Sequence, residues 1–129
     1  MKAPDLSEVD NAGVEEWSGS VDPLKVAATH AHLRFGSVDL SKAKDRATLF
    51  AALDHALKLP EHFGHNWDAL ADVLEDREWL GRHGIVIALV HSSGYKREHP
   101  TEWTTLEEIL SEASEFWKER HAAFWVFVA

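Results

Sequence analysis

Two uninterrupted apolar runs constrain this chain more than any other feature: Ile85-Val86-Ile87-Ala88-Leu89-Val90 and Phe124-Trp125-Val126-Phe127-Val128. A strand with one wet face alternates apolar and polar residues, whereas a strand covered on both faces need not. Both runs have the length of strands and are rich in β-branched or aromatic residues, which suit a pleated surface. Strands covered on both faces belong to sheets packed between helices, and such sheets are characteristically parallel.

The segments around these runs support the same architecture. His32 to Val38 reads as a further strand, with Leu33 and Phe35 alternating against Arg34. Gly13 to Trp17 reads as a short strand or edge segment. Asp22-Pro23 opens a short helix over 23–31, because Asp accepts from free N–H groups and Pro lacks the one that would go unpaired. Leu49, Phe50, Leu53, Ala56 and Leu57 form one stripe over a helix from Asp45 to Lys58, which Leu59-Pro60 stops. Asn66 caps the next helix, whose apolar side is Trp67, Leu70, Val73 and Leu74. His91 to Pro100 reads as a polar loop. A last helix opens at Thr104 or Thr105, each with a Glu three residues on, and buries Leu106, Ile109, Leu110, Ala113 and Phe116 or Trp117. The expected fold is α/β, a small parallel β-sheet of about three strands flanked by α-helices. Residues 1–11 read as a flexible tail and 12–129 as a single domain.

Charge narrows the function. The 129 residues carry 22 acidic and 13 basic side chains, a formal net charge of −9, with no cluster of Lys or Arg. A nucleic-acid binder needs a basic stripe to displace counterions, so direct nucleic-acid binding is not expected. The absence of cysteine excludes disulfides, thiolate metal sites and a cysteine nucleophile. Met1 to Gly13 lacks the apolar segment of a secretory signal, and the six residues Ile85–Val90 fall short of the about 20 that span a bilayer. The expectation is a cytoplasmic protein with no membrane contact, monomeric when free.

The densest signal lies between Leu59 and Asp76. From Glu61 onward it holds five carboxylates, Glu61, Asp68, Asp72, Glu75 and Asp76, and no Lys or Arg. Asp68, Asp72 and Asp76 are spaced four apart, so one continuous helix would align them on one face. Such rows are most often solvated surface. An uncompensated row beside aromatic residues and a glycine loop is also what docks into a cationic cleft.

Leu59-Pro60-Glu61-His62-Phe63-Gly64-His65-Asn66-Trp67-Asp68-Ala69-Leu70-Ala71-Asp72-Val73-Leu74 resembles the signature of the barstar family of intracellular ribonuclease inhibitors. The resemblance extends over about residues 32–129, and residues 13–31 resemble the N-terminal extension of longer family members. It implies that the chain binds a barnase-like ribonuclease through protein–protein contact, occluding the basic cleft with an acidic helix and its preceding loop, with no catalysis and no cofactor. Carried over by position, Asp72 is the central acidic residue and Asp68 the carboxylate one turn before it. His62 stands on the binding loop, Gly64 and Asn66 shape the loop and cap the helix, and Ala71 and Asp76 complete the face. Trp79 is matched to the tryptophan after the binding helix, expected partly exposed, and Glu115, with Glu119 as alternative, to the acid on the last helix. The family's best-known member has a large aromatic where this chain has Ala71, Tyr where it has His62 and Cys where it has Val73.

Other chemistries find little support. The histidine pairs 30/32 and 62/65 supply two ligands where zinc needs three or four, so no metal is expected. Asp68 and Asp72 could serve as acid and base, but adjacent turns of an exposed helix do not separate their environments. His91-Ser92-Ser93-Gly94 is no nucleophile elbow and reads as a turn. Trp67, Trp103, Trp117 and Trp125 fall at helix starts or in apolar runs and are expected in the core. The rival to an inhibitor is a non-inhibitory acidic interaction module that binds another basic protein.

Overall fold

A computed structural model describes residues 3–129. Four parallel strands form one sheet in the order β1-β4-β3-β2, with β1 at Val14–Glu16, β2 at Arg34–Asp39, β3 at Gly84–Val90 and β4 at Ala123–Val128. The short segment near residue 14 is thus a true edge strand, which brings the count to four. The central pair β3 and β4 is buried almost throughout, which is why neither run alternates. The alternation is present but separates two kinds of apolar face. Ile85, Ile87, Leu89, Phe124 and Val126 enter the larger core, while Val86, Ala123, Trp125 and Phe127 enter a second one.

Helices α2 (Arg46–Leu57), α3 (Trp67–Leu74), α4 (Arg77–Leu80), α5 (Ser93–Glu98) and α6 (Pro100–Lys118) contribute to the larger core. Helix α1 (Asp22–His30) covers the other face with Leu24 and Ala28. The β1–β2 connection crosses the sheet in one direction, and the later ones return in the other. Right-handed crossovers then require opposite faces, as observed. Gly84 starts β3 at φ +129°, where an added Cβ would stand 2.1 Å from the Ala123 carbonyl oxygen, so strand β4 can lie alongside only a glycine there.

Several expectations change. Residues 3–11 are not a loose tail: Leu6 is 2% exposed, and its carbonyl accepts a hydrogen bond from the Trp125 indole at 3.1 Å. With Ala12 and Trp17 it keeps water from Trp125 and Phe127, a large apolar surface that α1 alone leaves partly uncovered. Residues 1 and 2 lie outside the described residues. Asp22 does not cap α1: that position is Val21, and the Asp22 amide donates to Ser20 Oγ. The polar stretch after β3 is not all loop, because Tyr95 buries its ring and α5 forms around it. Helix α6 then starts at Pro100, so Thr104 and Thr105 are interior and donate to the carbonyls of Pro100 and Thr101 rather than capping. Arg46 at the start of α2 grips Glu102 near the start of α6, with Nη2 to Oε1 at 2.7 Å. No helix among the described residues is long and apolar enough to cross a membrane.

Candidate protein-binding face

The acidic segment begins where α2 ends. Lys58 takes a left-handed conformation at φ 52°, turning the chain, and Leu59 and Phe63 drop back into the core as buried anchors. The Phe63 amide donates to the Pro60 carbonyl at 2.9 Å, and its ring meets Phe50 edge-on at 5.9 Å. His65, also left-handed at φ 51°, sets its Nε2 3.1 Å from Asp54 Oδ2 on α2. Asn66 then caps α3, its Oδ1 accepting from the Ala69 amide at 2.8 Å while its Nδ2 donates to the Gly64 carbonyl at 3.3 Å. A Cβ at residue 64 would stand 3.2 Å from that Nδ2, so Gly64 leaves room for the Asn66 side chain to fold back. The loop is thereby held at both ends, with Glu61, His62, Gly64, His65 and Asn66 exposed.

Helix α3 buries Leu70, Val73 and Leu74 and turns Asp68 and Asp72 to solvent, with Ala71 half-buried between its faces. Trp67 is only half-buried, meeting Phe50 at 4.9 Å with the Arg46 guanidinium 5.9 Å above it. The helix stops at Leu74, whose carbonyl accepts from the Trp117 indole at 2.7 Å. Asp76 therefore does not extend the row on one helix: it caps α4, accepting from the Glu78 amide at 2.9 Å. It remains on the same face, because Asp72 and Asp76 together line a pocket of about 300 Å³ with His62, Phe63, Ala69 and Val73. Asp68 does not line it.

Trp79 differs most from expectation. It is 7% exposed, its indole donates to the Leu57 carbonyl at 2.9 Å, and the Arg34 guanidinium sits 5.3 Å from the ring centroid. Arg34 in turn donates to the Trp79 carbonyl. Trp79 thus fastens α4 to the end of α2 and offers a partner almost no surface. Glu115 is exposed but paired with Lys118 at 3.1 Å. Glu112 on α6, not singled out in the sequence, is an acid whose charge is felt at Glu75, just past α3. Burial pushes the Glu75 carboxyl above the usual range, and Glu112 and Asp72 push the same way against the opposing charge of Arg120. Glu119, the residue that closes α6, lies seven positions after Glu112, so periodicity puts it nearer that side than Glu115.

Arg77 and Arg120 lie over the rings of Trp117 (4.6 Å) and Phe116 (3.6 Å), while Lys58, exposed at the end of α2, directly precedes the loop. Among the described residues no group of three or more His, Asp or Glu is placed to hold a metal ion. Ser92 is buried and donates to the Ala129 carbonyl at 2.9 Å, and Ser93 begins α5, so this turn serves the join between β3 and α5.

These elements define a parallel α/β domain that presents a braced, acid-rich loop and helix. The family model for Barstar (barnase inhibitor) matches residues 33–129, and the chain belongs to the barstar family. That is a family of ribonuclease inhibitors rather than enzymes. A search of the curated proteins finds no match. Leu6, Ala12, Trp17 and helix α1 precede the matched residues, yet they supply cover for the sheet's second face.

Proposed function

We propose that this protein inhibits a barnase-type ribonuclease by filling its basic cleft with the loop 59–66 and the exposed side of α3. The observation that carries the reading is the set of five carboxylates between Glu61 and Asp76 with no Lys or Arg among them, carried by a loop anchored by Phe63 and Asn66, by α3 and by the turn into α4. A ribonuclease must hold a polyanion, so its cleft is cationic, and carboxylates can stand where phosphates would. Charge-assisted hydrogen bonds supply strength and orientation, and opposed potentials speed encounter.

In this reading Asp72 is the central group, Asp68 supports it one turn earlier, and Asp76 and His62 border the adjoining pocket. Gly64 and Ala71 allow close backbone approach, and Glu112 extends the acidic face onto α6. The protein acts by occlusion, without a cofactor, in the cytoplasm and as a monomer when free. The small Ala71 near the middle of the face favours a second reading, in which an acidic module binds another basic protein without inhibiting a nuclease.

A titration of barnase and related microbial ribonucleases with this protein, read by RNA cleavage, tests the proposal. Stoichiometric one-to-one loss of cleavage is the expected result. Binding without loss of cleavage selects the second reading, and no binding at micromolar concentration by any nuclease overturns the first.

A further inference from the structure

The pocket beside α3 has a chemistry of its own. Phe63 and Val73 give it an apolar and partly aromatic lining, Ala69 leaves it open, and His62, Asp72 and Asp76 supply its polar groups. Asp76 commits one oxygen to the Glu78 amide, and the Asp72 carboxylate takes part in no hydrogen bond or ion pair among the described residues, so acceptor capacity is left over. A guanidinium suits such a lining: it is planar, weakly hydrated, stacks on aromatic faces and pairs with carboxylates. Within the lining, His62 alone can acquire a positive charge, and histidine changes charge between about pH 5 and 8.

Resting on the inhibitor reading, we propose that His62 gates this pocket by its charge. The neutral imidazole leaves Asp72 and Asp76 to a basic side chain from the partner's cleft. The imidazolium competes for the same carboxylates and repels the incoming cation. The complex then holds fewer protons at His62 than the free protein does. Affinity is therefore full above the histidine titration and falls as the pH drops through it.

The surrounding charges favour this assignment to His62. Glu61 and His65 lie on the same loop, Asp68 and Asp72 on α3, Asp76 at the start of α4 and Asp54 on α2. His65 is already turned to Asp54 and tilts against Phe63 at 5.0 Å and Phe50 at 6.4 Å. It faces α2 and does not line the pocket.

The dissociation constant for barnase is measured at about pH 8 and about pH 5.5, the two sides of a histidine titration, at constant ionic strength. The parent, His62→Gln and His65→Gln are compared. The readout is the ratio of the low-pH to the high-pH value, so any constant loss of contact in a variant cancels, as do titrations on the nuclease. The parent ratio is expected to exceed that of His62→Gln by about tenfold, equivalent to about 1.4 kcal/mol, and His65→Gln is expected to follow the parent. Equal ratios for the parent and His62→Gln, with tight binding kept, overturn the gate and leave the inhibitor reading standing. No binding at either pH by barnase or by any of the related microbial ribonucleases overturns both.

Discussion

Replacing Asp72 by alanine should move stability and binding in opposite directions. In the free protein the carboxylate is exposed and holds no partner among the described residues. It sits in the last turn of α3, where the negative end of the helix dipole disfavours an anion by about 0.3–1 kcal/mol. Asp68 lies four residues earlier, a like-charge spacing that costs about 0.2–0.5 kcal/mol. Alanine also has the higher helix propensity, by up to about 0.7 kcal/mol. These contributions do not simply add, and a net stabilisation of about 1 kcal/mol is the working figure, a rise in Tm of about 3–5 °C for a domain of this size. In the complex the same carboxylate would be desolvated against cations. Deleting one member of such a pair costs about 2–5 kcal/mol in complexes of this kind, barnase–barstar among them. At about 1.4 kcal/mol per tenfold, affinity should fall by about 30-fold to several thousand-fold. Thermal melts and calorimetric titration of the same preparation check both signs. The reasoning is falsified if Asp72→Ala binds the nuclease as tightly as the parent, or if its Tm drops by many degrees.

Three further outcomes follow from the geometry. Trp79→Ala should cost about 3–5 kcal/mol of stability in a urea titration, with the affinity of the remaining folded protein largely kept; a stable variant that had lost binding would return Trp79 to the interface. Glu75→Gln should raise Tm by about 1–3 °C near neutral pH. The folded state holds the Glu75 proton to higher pH than the unfolded chain, so the penalty grows as pH rises through the raised range and vanishes below the ordinary glutamate range. A gain that persisted in acid would contradict this cause. Association with the nuclease, followed by stopped flow, should slow by about tenfold or more as salt rises from about 0.05 to 0.5 M, because steering acts over a Debye length that shrinks below about 8 Å. A salt-independent on-rate would remove electrostatic steering from the account.

Much that depends on neighbours a few residues apart was legible in the linear chain, although the caps read at Asp22 and at Thr104 or Thr105 were not the ones formed. The doubly covered strands at 85–90 and 124–128, the stripe from Leu49 to Leu57 and the Asn66 cap are set by side-chain period and by local hydrogen bonds to the backbone. The acidic loop and helix were legible for the same reason, as a run of like charge with a glycine and a cap at fixed spacing. Contacts between distant residues decided the rest. Leu6 looked like part of a polar tail because its partner, Trp125, lies 119 residues on. Trp79 looked exposed because the carbonyl that takes its indole proton belongs to Leu57, 22 residues earlier. Asp76 fell off the α3 row because the helix breaks at Leu74, where Trp117, 43 residues on, takes the free carbonyl. Glu112 acts on Glu75 because α6 packs beside α3, a proximity no periodicity encodes. The sequence alone thus set the main helices and strands and where the charge is concentrated, but not the short helices α4 and α5. Only the tertiary structure decided which of those charges remain free to meet a partner, since burial and pairing arise when segments far apart in the chain exclude water from one another.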